Sequence, residues 1–174
     1  MNKITLFVLV IFFTLSSKSN TTMKDKNNTH MEDSVQIDAP IEVVFAYITD
    51  FSNTAKWHKN MKKVGWKTDP PYGVGSEYDW IETFSGMKMD IGGVITSWNP
   101  PYSFTWKPTT SPFPMTGGWT LVEKGNSTIV TRYSDNQLSG IYKLLNRMML
   151  PKAKRQVRKE LQALKRLIEA GKES

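Results

Sequence analysis

The 174-residue sequence has no cysteine and only two histidines, His30 and His58. Lack of cysteine excludes a disulfide framework, thiolate zinc sites, iron–sulfur clusters and a cysteine nucleophile. With so few histidines a metal site would have to be built from carboxylates, and the sequence has no such cluster, so no metal is expected. Long apolar runs are also scarce. The one candidate, residues 4–15, holds 12 uncharged residues, well short of the roughly 20 needed to span a bilayer. A Ser-His-Asp order, a phosphate loop and a dinucleotide fingerprint are all missing, so no cofactor is expected.

That short run follows Met1-Asn2-Lys3 and precedes Ser16-Ser17-Lys18-Ser19. A basic start, an apolar stretch and small residues describe a secretory signal, or a signal-anchor if uncleaved, over 1–19. The expected location is therefore outside the cytoplasm, periplasmic or secreted, with a membrane tether if the leader stays on. Residues 20–33 are polar and aperiodic and read as a disordered spacer. The remainder, 34–171, suits one domain with one core.

Six Trp, six Tyr and eight Phe are many for such a domain. Large rings fill cores, and they also line ligand cavities. The net charge of +7 is unevenly placed. Residues 139–174 carry ten Lys/Arg and three Glu, which accounts for the whole excess. The same segment repeats apolar residues at three- and four-residue steps (Ile141, Leu144, Leu145, Met148, Met149, Ala153, Val157, Leu161, Leu164, Leu167, Ile168). It reads as an amphipathic helix with a basic outer face and a kink at Pro151. The face is either a solvated surface or a contact for anionic lipid or another polyanion. Nucleic acid is not expected for an exported chain, and a monomer is.

Residues 34–38 alternate as a strand does, and Pro40 suits the first turn of a helix carried by Ile41, Val44, Phe45 and Ile48. Asp50 is placed to cap a second short helix through Trp57. Strand candidates follow at 64–67, 75–84, 87–98, 102–107, 116–123 and 128–135, punctuated by turns such as Ser85-Gly86 and Gly125-Asn126. Gly92-Gly93 and Gly117-Gly118 suggest bulges or bends. The expected fold is α+β: a seven-stranded curved antiparallel sheet around a long C-terminal helix, with two short helices after the first strand.

Several stretches carry a resemblance to a known family. They are Val35-x-Ile37-x-Ala39-Pro40-x-Glu42-x-Val44-Phe45, Ile48-Thr49-Asp50-Phe51, Trp57-His58, Gly73-x-Gly75-Ser76-Glu77, Trp119-Thr120-Leu121 and Thr128-Ile129-Val130. In order and spacing they resemble the polyketide cyclase/dehydrase branch of the SRPBCC, or START-like, superfamily, related to the pollen-allergen fold. Lys59 after His58 departs from the His-Pro common there. The resemblance implies the helix-grip fold and a deep cavity for lipids, sterols, polyketides or other apolar molecules. It implies no shared catalytic set, since its members include cyclases, hydrolases, carriers and binders.

Strand parity gives the expected cavity wall. Tyr78, Trp80, Glu82 and Phe84 share one face, as do Met87, Met89 and Ile91. Phe104 with Trp106, Trp119 with Leu121, and Thr131 with Tyr133 complete the sheet side, although Val130 argues for the other face of the last strand. Trp57 is either a helical corner or a gate, and Ile141, Leu145 and Met149 are the expected helix side. Glu82 among rings would be desolvated and could act as an acid or base, with Tyr78 or Tyr133 polarising a carbonyl. The alternative is a strand-end Glu82 that reaches water or a lysine. His58 reads as structural rather than catalytic. The loop 108–114, with Phe113 at its tip, is a lid or a stiff connector.

Three functions compete. The first is a carrier of a small hydrophobic ligand, and the second is a cyclase- or dehydrase-type enzyme using Glu82 and tyrosines. The third is a module with a side-chain-filled interior that docks on anionic membrane.

Overall fold

The computed structural model describes residues 28–84, 87–110 and 114–171. The chain enters through β1 (Asn28–Ile37) and passes to α1 (Ile41–Thr49). A 3-10 turn (Phe51–Asn53) then runs into α2 (Thr54–Trp57). Six strands follow: β2 (Met61–Trp66), β3 (Glu77–Phe84), β4 (Met87–Asn99), β5 (Ser103–Pro108), β6 (Met115–Lys124) and β7 (Ser127–Gln137). The chain closes with α3 (Gly140–Ala170). The sheet order is β1-β7-β6-β5-β4-β3-β2, with every pairing antiparallel. This is the expected helix-grip architecture.

Its local causes are those the sequence suggests. Asp50 accepts from the Ser52 backbone N–H at 3.0 Å and so caps the turn into α2. Gly125 adopts φ +61° in the β6–β7 hairpin, a conformation that suits glycine. Ile41, Val44, Phe45 and Ile48 bury one face of α1. Val157, Leu161, Leu164 and Ile168 do the same for the second half of α3. That half is also tied along β1. Lys165 Nζ donates to the Gln36 carbonyl at 2.7 Å, and Glu169 accepts from the Asp38 N–H at 2.8 Å. The helix continues through Pro151.

Two expectations change. The strand begins at Asn28, so the disordered spacer does not extend over 28–33. Those residues pair with 132–137 of β7. Their polar side chains find partners at this sheet edge: His30 with Asp135 at 2.9 Å and Glu32 at 3.2 Å, and Asp33 with Arg158 at 2.9 Å. Composition had marked them as too polar to order, and edge pairing overrides composition. Residues 1–27, including the leader, lie outside the described residues, as do Ser85, Gly86 and the tip of the 108–114 loop with Phe113.

The paired glycines also play another part. The ladder runs without interruption through Gly92-Gly93 and Gly117-Gly118. Register shifts fall at Met61/Lys63 and Ile95/Ser97 instead. The glycines make room for rings. A Cβ on Gly93 would stand 2.9 Å from both Trp80 and Tyr78, and one on Gly117 would stand 2.5 Å from the Trp106 indole. Aromatic side chains thus lie flat over neighbouring strands, which a β-carbon would forbid.

Candidate functional site

A cavity of about 370 Å³ lies between the concave sheet face and the helices. Tyr78, Trp80 and Glu82 of β3, Met89 and Ile91 of β4, Phe104 and Trp106 of β5 and Trp119 of β6 line it. The alternation predicted for these strands holds. Trp57 of α2 lines the cavity too, with its indole N–H buried and unpartnered. The rings brace one another. Tyr78 stacks on Trp80 at 5.4 Å, Trp80 meets Trp106 edge-on at 5.1 Å, and Trp57 meets Trp119 edge-on at 5.7 Å. Such contacts hold the wall in shape beyond what burial alone supplies. The interior is therefore aromatic-rich without being filled.

The last strand is turned over relative to the parity reading. Thr128 and Val130 are both 0% exposed, and they set the inner face of β7. Arg132 therefore points inward, and Thr131 does not. Thr131 bonds Ser34 at 2.8 Å on the outer side. The Tyr133 ring lies over Gly118, its pairing partner, and stacks at 6.5 Å on exposed His30. Tyr133 is among the residues that line the cavity. Thr131 contributes nothing to the lining, and the cause is the pair of buried residues two and four places away from Arg132. Ile141, Leu145 and Met149 fall on the first half of α3, and their side chains lie outside the described set, as do those of Phe84 and Met87.

Polar side chains from four elements meet beside the cavity. His58, just after α2, is 2% exposed. Its Nε2 lies 3.7 Å from Glu82 Oε2 on β3, and its Nδ1 lies 3.4 Å from Glu160 Oε1 on α3. Glu160, 5% exposed, accepts from Arg132 Nη1 and from Gln156 Nε2, each at 2.8 Å. The Arg132 guanidinium sits 5.5 Å over the Trp119 ring. His58 Nδ1 itself makes no hydrogen bond among the described residues.

The protonation states follow from burial. Two nearby carboxylates would by themselves favour an imidazolium. Desolvation outweighs them, the Arg132 charge adds to it, and the His58 pKa falls to about 3. Glu160 is already matched by Arg132, so its field at the ring is offset. Burial raises the Glu82 pKa, with Glu160 adding repulsion and Arg132 opposing. Burial also raises the phenol of Tyr78 far above its usual range. The site thus holds an imidazole that burial keeps neutral beside a carboxyl that burial shifts towards its protonated form, inside an aromatic wall. Such a pair can donate to, or exchange a proton with, an acceptor on a bound molecule.

Glu82 was legible in the sequence as a carboxylate among rings. Sequence alone makes His58 a structural residue and gives no reason to distinguish Glu160 or Arg132. Glu160 looked like one charge of a basic helix, and no periodicity reveals that it faces inward opposite β7.

Similarity to known proteins agrees with this architecture. Residues 28–169 match the family described as polyketide cyclase/dehydrase and lipid transport. No curated protein sequence matches the chain. Among solved structures, a protein from Thermus thermophilus is 18% identical, with TM-score 0.69, over 82% of this chain and 99% of that one. The Zhui aromatase/cyclase from Streptomyces sp. R1128 is 15% identical, with TM-score 0.69, over 82% and 94%. Ara h 8.0201 is 9% identical, with TM-score 0.63, over 82% and 99%. Identities this low carry the fold alone, and it is the sequence match across almost all the described residues that places this chain in the polyketide cyclase/dehydrase and lipid transport family.

Proposed function

We propose that this protein binds a small, mostly apolar molecule in the sheet–helix cavity and carries it outside the cytoplasm without transforming it. The observation that carries this reading is the 370 Å³ aromatic cavity whose lining also takes in His58, Glu82 and Arg132. Apolar walls supply affinity, and the few polar groups fix orientation. Burial shifts Glu82 towards its protonated, donating form, and the Arg132 guanidinium has N–H groups beyond the one given to Glu160. The fitting ligand therefore presents an acceptor, such as a carbonyl, to these groups and hydrocarbon or rings to the rest. Export rests on the basic start and the apolar run of 4–15.

The test is a titration of delipidated protein with a fluorescent polyene fatty acid, read by quenching of the wall tryptophans. Saturable binding of one probe per chain is expected, and Ile91→Trp, which fills the cavity, should abolish it. Binding that is absent, or that survives the filled cavity, would refute the reading. Mass spectrometry of the mature N-terminus tests export, and an exported product that keeps Met1 would count against cleavage.

A second reading is favoured by one contact, the 3.7 Å approach of His58 and Glu82. In an enzyme of cyclase or dehydrase type, Glu82 would move the proton and His58 would orient it. Turnover of a polyketide-like ketone, lost in Glu82→Gln while probe binding persists, would replace the carrier reading with this one.

A further inference from the structure

The outer surface of α3 carries a stripe that the cavity does not use. Leu144, Met148, Lys152, Arg155, Lys159, Gln162 and Arg166 follow one another at steps of four, four, three, four, three and four. At 3.6 residues per turn these steps keep all seven on one side of the helix. It is the side opposite Val157, Leu161, Leu164 and Ile168, which are buried against the sheet. The stripe is divided along its length. Its first two residues are large, apolar and open to solvent, Leu144 at 59% and Met148 at 70%. The rest is cationic.

That cationic part faces a groove of about 660 Å³ between α3 and the α2–β2 corner. Lys59 on the corner joins Lys152, Arg155, Arg158, Lys159 and Arg166 in lining it. Arg158 is paired with Asp33. The other five form no ion pair among the described residues. The one carboxylate in the groove wall, Glu160, is engaged by Arg132 and Gln156. Five unneutralised cations repel one another at low ionic strength, and an anionic surface relieves that repulsion. A soluble polyanion would satisfy the charges but leave Leu144 and Met148 in water. An anionic bilayer satisfies both: headgroup phosphates meet the cations, and the two apolar side chains enter the interface.

We propose that this stripe docks the protein on an anionic lipid surface, with Leu144 and Met148 inserted and the groove cations on the headgroups. The proposal is independent of what fills the cavity. The test is flotation of the full-length chain with phosphatidylglycerol-containing vesicles and with pure phosphatidylcholine vesicles. Binding to the anionic vesicles, weakened by salt, is expected. The double variant Lys152→Glu/Lys159→Glu should weaken it by on the order of a hundredfold. Leu144→Gln should weaken it by about tenfold and leave the remainder wholly salt-sensitive. All three positions are exposed, and unchanged melting temperatures would confirm intact folding. Equal binding to both vesicle types, or binding indifferent to these variants, would assign attachment to the apolar leader and overturn the proposal. So would a short DNA duplex binding as tightly with no response to Leu144→Gln, since that describes a general polyanion groove.

Discussion

Arg132 of β7 donates to Glu160 of α3 across 2.8 Å, joining the concave sheet to the helix it grips. The same Glu160 takes a second hydrogen bond from Gln156 and faces the imidazole of His58. One carboxylate therefore links the last strand, the long helix and the corner after α2.

Removing one member of a buried pair leaves the other charge unmatched. Glu160→Ala should lower unfolding free energy by about 3 kcal/mol, read from the midpoint of urea denaturation. The double variant Arg132→Met/Glu160→Leu should recover most of that loss. A double variant as unstable as the single one would mean the pair itself stabilises the fold.

The acid limb of stability should belong to His58. Its folded pKa of about 3 lies below the ordinary 6.5. Below pH 6.5 the unfolded chain takes up a proton that the folded chain refuses, so stability falls as pH falls towards 3. The loss between pH 7 and pH 4 should be about 3 kcal/mol. In His58→Phe that difference should largely vanish, as measured by urea unfolding at the two pH values.

Glu82 should act in the opposite sense. Its folded pKa is raised above 4.5. Above that pH the unfolded chain releases a proton that the folded chain keeps, so this group's effect grows more unfavourable as pH rises through the folded value. Glu82→Gln should therefore gain stability relative to the parent at pH 8 and gain little at pH 4. A variant that loses stability at both would show the ionised form to be the favoured one.

The flat packing of rings over glycine should be intolerant of a single methyl. Gly117→Ala places a Cβ against the Trp106 indole, within the sheet and without slack. A loss of about 2 kcal/mol is expected, with a shift in tryptophan fluorescence. Trp106→Leu in the same chain should restore part of it.

Thr128 offers a cleaner measure of a single hydrogen bond. Its hydroxyl, fully buried, donates to the Ala39 carbonyl at 2.7 Å and fixes the approach to α1. Thr128→Val keeps the shape and strands the carbonyl, so a loss of about 1.5 kcal/mol is expected in thermal or urea unfolding.

Strand parity identified Tyr78, Trp80, Glu82, Met89, Phe104, Trp106 and Trp119 as cavity wall because alternation is a local property of extended chain. It failed at β7 for Thr131, which looks inward by its β-branch alone. Two buried residues on the same strand, Thr128 and Val130, outvote it. The spacer at 28–33 failed for a related reason, since a polar strand orders only when a partner edge such as 132–137 is supplied from far along the chain.

Element order, the amphipathic last helix, the location of all the net charge and the aromatic character of the wall are all legible along the chain. These depend on periodicities of two and 3.6 residues and on composition, which are properties of neighbouring positions. Tertiary structure alone decided that His58, Glu82, Arg132 and Glu160 meet. They come from a helical corner, two strands and a helix, and no local rule relates them. Their protonation was decided there too, because desolvation depends on what the rest of the chain packs around a group.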